Sequence, residues 1–132
     1  MIAHGVAVGW KLRILSEVAS HDLRIALYGS DAALGPQTAS YTPDGEAQGA
    51  GYEAGGQALQ NVSAMGNGSS VELRADDPVW PNASLVGVRG ALVYDNSVAG
   101  KPALFVLDFG EEVSGTNAPF ELDLPAPLYV WL

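Results

Sequence analysis

The chain has 132 residues, a length typical of one domain that buries its own core, and it contains no cysteine, which excludes disulfides and thiolate metal sites. Six Lys and Arg residues face fifteen Asp and Glu residues, so the formal net charge is -9, and the six cations are scattered along the chain. This charge argues against nucleic acid and against anionic membrane surfaces as partners. We expect a single domain over residues 1–132.

The N-terminal region predicts one short helix. Residues 8–19, "VGWKLRILSEVA", begin with alternating apolar residues, but the alternation breaks at Leu15. Helical spacing relates four residues: Lys11, Ile14, Leu15 and Val18. This spacing favours a helix over a strand. No basic segment precedes the apolar run, so we expect no signal peptide, and no apolar run is long enough to span a bilayer.

A strand and then a long loop follow the helix. Residues 22–29, "DLRIALYG", alternate and predict a half-buried strand. Residues 29–58 show no periodicity and are rich in Gly, Pro, Ala, Ser, Thr and Asp. A loop of that length is usually either functional or disordered. Its only large side chains are Tyr41 and Tyr52, which we expect to anchor a segment that is flexible in the isolated chain.

The remaining sequence predicts strands separated by turns. "ALQNVSAM" and "SSVELRAD" flank the hairpin signal "GNGS", and "DDPVWPNAS" predicts a turn-rich corner. "SLVGVRGALVYD" alternates, "DNSVAGKP" predicts a turn, and "ALFVLDFG" is apolar nearly throughout, as a strand covered on both faces would be. "APFELDLPAP" alternates again before the final "LYVWL". About seven strands predict a mainly β fold, an antiparallel β-sandwich that is jelly-roll-like, with one short N-terminal helix.

The titratable residues do not form a recognisable catalytic pattern. The two histidines, His4 and His21, lie near the N-terminus and at the helix–strand junction, and no "GxSxG" occurs. The pairs Asp76–Asp77 and Glu111–Glu112 would send neighbouring carboxylates to opposite faces of a strand, so we interpret them as solvated turn residues. Calcium bound at acidic loops such as "DNSVAG" is a minor alternative. We expect no catalytic residue, no metal and no cofactor.

The C-terminal segment, residues 128–132, is apolar throughout and follows Pro125 and Pro127. An exposed segment of this kind would be an aggregation hazard, so we expect it to dock. It would dock either as a strand added to its own sandwich or across a subunit boundary. The second option makes Tyr129, Trp131 and Leu132 candidate assembly contacts, and the long loop, if it orders against a neighbouring subunit, adds Tyr41 and Tyr52.

Several stretches occur together in a recognisable order over roughly residues 10–125. A strand ending in "ALY" precedes a small-residue loop, then "GE" and "GYEAGG", and then "DDPVW", "VRGALVYD", "PALFVLDFG" and "FELDLP". This order resembles a group of small virion structural proteins, of head-decoration or tail-fibre-like type, that tailed bacteriophages encode among their head and tail genes. The resemblance implies a non-enzymatic β fold that docks on a virion. The ending "PAPLYVWL" departs from the family, whose typical end is a short polar tail.

Three functional hypotheses follow. The first is a capsid decoration (cement) protein on the outer capsid surface, made in the host bacterial cytoplasm, that binds the major capsid protein and itself as a dimer or trimer. The second is a tail or adsorption-apparatus component that binds tail proteins or a host glycan. The third is an enzyme such as a glycan hydrolase. The glycine-rich loop would order against a neighbouring subunit, or would be a merely mobile surface segment.

Overall fold

The computed structural model describes residues 1–132. It contains one helix and seven strands: α1 (Val8–Ala19), β1 (Leu23–Gly29), β2 (Gln57–Ala58), β3 (Ser63–Asn67), β4 (Ser70–Arg74), β5 (Val79–Asp95), β6 (Ala103–Glu121) and β7 (Tyr129–Trp131). The strands form two antiparallel sheets, a four-stranded sheet in the order β2-β1-β5-β6 and a three-stranded sheet in the order β3-β4-β7. The predicted mainly β fold with an N-terminal helix is confirmed.

Helix α1 packs against β3 and β4 of the small sheet. Its buried residues, Lys11 and Leu15, are one turn apart and therefore share a face. The Lys11 ammonium donates to the backbone oxygens of Ser69, at 2.9 Å, and Leu132, at 2.7 Å. These bonds compensate for burying a charge, and they fasten the helix to both the β3–β4 turn and the end of β7. With twelve residues, α1 is too short to cross a bilayer as a helical span.

The small sheet contains the predicted hairpin and the C-terminal segment. Asn67 and Ser70 are the last paired residues before the β3–β4 turn, as "GNGS" predicts. Strand β7 pairs with β4, so that Leu73 lies opposite Tyr129 and Val71 opposite Trp131. The C-terminal segment therefore docks as a strand of its own chain, which is the first of the two options that the sequence offered.

Strands β5 and β6 are longer than the sequence pattern indicated. The expected corner "DDPVWPNAS" supplies the start of β5, and "ALFVLDFG" and "APFE" belong to the single strand β6. Register shifts recur along this pair, and such bulges accommodate the turn-favouring residues Pro81, Gly115 and Pro119 within paired strands. The stretch "ALFVLDFG" of β6 is also not covered on both faces, since none of residues 103–110 is buried.

The four-stranded sheet has apolar side chains on both faces. One face carries the larger core, formed by Leu23, Ile25, Leu27, Tyr52, Leu59, Trp80, Ala83, Leu85, Val88, Ala91, Val93, Phe120 and Leu124. The other face carries Ala26, Tyr28, Leu92 and Tyr94, which residues of the long loop cover, among them Leu34 and Tyr41. The two inner strands β1 and β5 are buried most completely, whereas β6 lies at an edge.

Candidate functional site

The long loop crosses the outer side of β1, where the carboxylate of Glu46 fastens it. Oε1 of Glu46 accepts a hydrogen bond from the Tyr41 hydroxyl at 2.5 Å. Oε2 accepts from the Tyr52 hydroxyl at 2.6 Å and from the Gly55 N–H at 2.7 Å. The Tyr52 oxygen also accepts the Leu27 N–H at 2.9 Å, which satisfies a donor at the side of β1.

Two further tyrosines complete this arrangement from the sheet side. The hydroxyl of Tyr28 donates to the Thr42 carbonyl at 2.7 Å, and that of Tyr94 donates to the Gly55 carbonyl at 2.6 Å. Burial, and next the hydrogen bond to the Glu46 carboxylate, raise the pKa of Tyr41 and of Tyr52 well above the usual value for a phenol. These phenols therefore keep their protons and act as hydrogen-bond donors.

Tyr41 and Tyr52 thus fasten the loop to its own chain. Tyr52 belongs to the larger core and is only 8% exposed, so it has no free surface for another subunit. Tyr41 is half-buried. The centroid of its ring lies 4.8 Å from that of Tyr94 and 5.5 Å from the ammonium of Lys101. Tyr41 is therefore the member of this pair with more exposed surface.

The long loop is bonded to the rest of the chain along its length, and the structure gives its glycines a packing role. The loop residue Ala47 donates to the Leu27 carbonyl at 2.8 Å. Gly51 and Gly56 have φ angles of +83° and +77°, and a Cβ would lie 1.9 Å and 1.8 Å from carbonyl oxygens of β5 and β1, respectively. Glycine is needed at these two positions because loop backbone contacts strand backbone directly.

The three C-terminal candidates lie on the small sheet. The Tyr129 ring is 5.4 Å from the Phe105 ring of β6 and is 37% exposed. Trp131 is half-buried in the pairing with β4, and Leu132 is 87% exposed. Tyr41 contacts the opposite face of the four-stranded sheet, so the five candidate contacts do not form one surface.

His21 pairs with a carboxylate at the β5–β6 turn. Its Nδ1 lies 2.6 Å from Oδ2 of Asp95, whose Oδ1 accepts from both the backbone N–H and the hydroxyl of Ser97. Burial alone would raise the pKa of Asp95, but the bonds from Ser97 and His21 outweigh it and hold that pKa below its usual value. The carboxylate stands between serine and histidine, whereas nucleophile activation needs the serine to contact the imidazole. The cluster of His21, Asp95 and Ser97 connects the junction between α1 and β1 to the β5–β6 turn.

The neighbouring acidic residues have separate partners. Glu111 and Glu112 lie within β6 and not in a turn as expected, whereas Asp76 and Asp77 lie in the connection between β4 and β5. Glu112 accepts from the Ser30 hydroxyl at 2.8 Å, whereas Glu111 lines a groove on another side of β6. Asp77 accepts the Leu124 N–H, and Asp76 accepts from the Asn61 amide. Nowhere in residues 1–132 do three His, Asp or Glu side chains cluster closely enough to hold a metal ion.

The outer side of β6 from Leu104 to Phe109, which we name the open edge, lies where three grooves meet. Their volumes are about 430, 340 and 520 Å³, and all three are lined by Val106, Leu107 and Asp108. Strand β6 is the last strand in the sheet order, and the backbone groups of residues 104–121 bond to other backbone groups only within the β5–β6 pairing.

The sequence interpretation missed this groove because it treated β6 as two strands. The run "ALFVLDFG" followed by "EE" indicates an apolar strand next to carboxylates, but it does not show that this strand lies at the edge of its sheet. Comparison with known protein families, characterised proteins and solved structures finds no match for this chain.

Proposed function

We propose that the chain is a virion structural protein of a tailed bacteriophage. In this proposal it is a capsid decoration (cement) protein that binds the major capsid protein on the outer surface and stabilises the head. It would be made in the host cytoplasm and would also associate with itself as a dimer or trimer. A jelly-roll-like relation between the two sheets belongs to the same proposal.

The observation that carries the proposal is the open edge of β6. Its neighbouring side chains are apolar and only partly buried, and its backbone has no partner on the outer side. Long strand edges are sites where other chains add, so natural proteins cover or interrupt them unless they use them. The covered β1 side of the same sheet supports the interpretation that this edge is left open for a partner.

The net charge and the sequence resemblance support the proposed position on the outer surface of the capsid. A net charge of -9 suits a position outside the capsid, where the protein meets solvent and coat protein but not packaged DNA. The order of motifs from "ALY" to "FELDLP" resembles phage virion proteins, and this resemblance supports a virion as the place where the open edge is used.

Particle composition tests the proposal. The gene would be deleted from a phage that encodes the protein, and purified particles would be compared by quantitative gel and by heating. We expect hundreds of copies on wild-type particles, since a closed symmetric shell offers each contact many times, and heads that rupture at lower temperature without the protein. About a dozen copies or fewer would favour the tail component instead, and absence from particles would overturn both.

A further inference from the structure

We propose that the open edge binds an extended segment of a partner protein as an added β-strand, and that this segment combines apolar residues with at least one Lys or Arg. The inference rests on the proposed function for the identity of the partner, which would be a capsid subunit. It adds the chemistry of the contact: backbone pairing to β6, apolar side chains in the grooves and a cation against the acidic end.

The chain itself already begins such a pairing at the start of β6. Ala103 donates to the Ala39 carbonyl at 3.0 Å, Tyr41 donates to the Lys101 carbonyl at 2.9 Å, and Ser40 forms an antiparallel bridge with Pro102. No further backbone hydrogen bond joins the loop to the edge, although Leu34, Gly35, Pro36 and Thr38 still line the neighbouring groove. A partner segment would therefore continue a line of pairing that the loop starts and does not finish.

The backbone of the open edge is regular enough to pair. From Phe105 to Asp108 the register with β5 runs without a shift. Gly110, with a φ of +79°, then interrupts the strand, and Pro119 lacks an N–H further along. Regular pairing is thus limited to Phe105–Asp108, a length of about 13 Å that accommodates about four residues of partner, and Leu104 and Phe109 flank it.

Apolar side chains lie on both sides of this backbone. The groove of about 520 Å³ is lined by Leu34, Pro36 and Leu128 beside β6, and the groove of about 430 Å³ by Phe109, Phe120 and Leu122. Leu34 packs on the cluster of Tyr28 and Tyr94, whereas Phe109 and Leu122 pack on the larger core on the other face of the sheet. Successive side chains of a strand point to opposite faces, so alternate residues of an added segment would face these two sets in turn. This favours small or medium apolar residues in the segment.

The charge of the groove of about 430 Å³ indicates which partner residues would bind there. The groove of about 430 Å³ is lined by four acidic residues and no basic one: Asp108, Glu111, Glu121 and Asp123. Arg89 neutralises only Asp108, at 3.0 Å, while the other three carboxylates accept no hydrogen bond within the chain. A Lys or Arg would complement them, whereas a second copy of this chain, paired edge to edge, would bring its own acidic residues close.

The test uses the full chain and a capped six-residue peptide that alternates Val and Lys, with a second peptide that alternates Val and Glu. We expect the Lys peptide to shift the backbone amide resonances of residues 104–109 and to bind at least tenfold more tightly than the Glu peptide. The double variant Glu111→Lys, Asp123→Lys should lose at least tenfold of this affinity. Glu17→Lys, a charge reversal at an exposed position of α1, should change it less than twofold.

Three results would overturn the inference: equal affinity for both peptides, shifts that lie away from residues 104–109, or a dimer of the unliganded chain with residues 104–109 protected. Particle binding separates this inference from the proposed function. If the double variant loses the peptide but still decorates heads, the strand contact is wrong as a capsid contact and decoration stands. If the wild type binds the peptide at 104–109 but is absent from particles, the binding site stands and the virion function fails.

Discussion

Along the outer side of β1, from Ile25 to Gly29, the chain covers its own sheet edge; along β6 it does not. Strand β2 pairs at Ile25, Tyr28 bridges to Glu46, and loop groups bond to Leu27 and Gly29. We name this side the covered edge. On the open edge, the loop pairs only as far as the Ser40–Pro102 bridge.

The difference shows how one sheet can be closed on one side and available on the other. The residues of the covered edge bond and pack within the chain. Loop glycines contact strand backbone, and two tyrosine hydroxyls donate to the single carboxylate of Glu46. The open edge is followed by outward carboxylates and a bulge, which limit indiscriminate strand addition without occupying the backbone. Substitutions on the covered edge should therefore change stability, and those on the open edge should change binding.

The largest effect should come from Gly56→Ala. The added Cβ would meet the Ile25 carbonyl oxygen at 1.8 Å, and φ is +77°, so both contact and backbone conformation oppose it. Moving a loop away from a strand backbone should cost more than about 4 kcal/mol of unfolding free energy, measured by urea denaturation.

Gly100→Ala is the matched control for that substitution. Its φ of +82° is similar, but a Cβ there would meet nothing within 4 Å. Only the left-handed conformation is penalised, by about 1–2 kcal/mol. Equal losses at both positions would mean that the loop does not press on β1.

Glu46→Ala should have the next largest effect, because it leaves the Tyr41 and Tyr52 hydroxyls and the Gly55 N–H without their acceptor. We expect a loss of about 2–4 kcal/mol. Glu46→Gln should cost only about 1 kcal/mol, since its amide oxygen still accepts two bonds and its NH₂ donates to the Tyr41 oxygen. Amide hydrogen exchange should also accelerate at Leu27 in the alanine variant, and unchanged exchange there would contradict the covered edge.

Local patterns in the sequence were sufficient to predict the elements whose burial follows a simple period. Helix α1 occupies residues 8–19 as predicted, and "DLRIALYG" and "GNGS" gave β1 and the β3–β4 hairpin. Each depends on contacts within a few residues or on one buried face. The prediction of a turn-rich corner at "DDPVWPNAS" was wrong, because β-bulges allow Pro81 to lie inside a strand. The position of a bulge depends on the partner strand.

The two edges could not be predicted, because an edge is a property of sheet order. Nothing near Glu46 in the sequence indicates that Tyr52 and Gly55 will converge on its carboxylate. The glycines in "GYEAGG" predicted a flexible loop, whereas close approach to β1 and β5 is the structural reason for them. Likewise, no local pattern states that β6 is the last strand of its sheet.

Asp95 fixes the turn from which the open edge starts, and it should make stability depend on pH. Its folded-state pKa is lowered by bonds from Ser97 and His21, so its contribution is present above the unfolded-state value, near 3.8, and is lost as pH falls through the folded-state value. Asp95→Asn should cost about 1–2 kcal/mol near pH 6 and less near pH 3, in paired denaturation curves. A constant difference between the two proteins would contradict the assigned cause.

Tyr129→Ala should have a smaller effect, because it removes a ring contact that supports the open edge from the inner face. The Tyr129 ring lies 5.4 Å from that of Phe105 but remains partly exposed, so we expect a loss of about 1 kcal/mol. Leu132→Ala, at a side chain that is 87% exposed, should stay within about 0.5 kcal/mol of wild type. A larger loss at Leu132 would mean that the terminal side chain packs more closely than its exposure indicates.

The smallest effect on stability should come from Glu111→Lys, on the groove side of the open edge. Glu111 is exposed and accepts no hydrogen bond, and the substitution lowers the net negative charge of the chain, so unfolding should change by less than about 0.5 kcal/mol. Glu112→Lys is the informative neighbour, because Glu112 accepts from the Ser30 hydroxyl at 2.8 Å and links β6 to the loop. It should lose up to about 1 kcal/mol, measured in the same urea titration. If Glu111→Lys proved the more destabilising of the two, the residues that line the groove of about 430 Å³ would contribute to the stability of the fold. The contrast between the covered edge and the open edge would then fail.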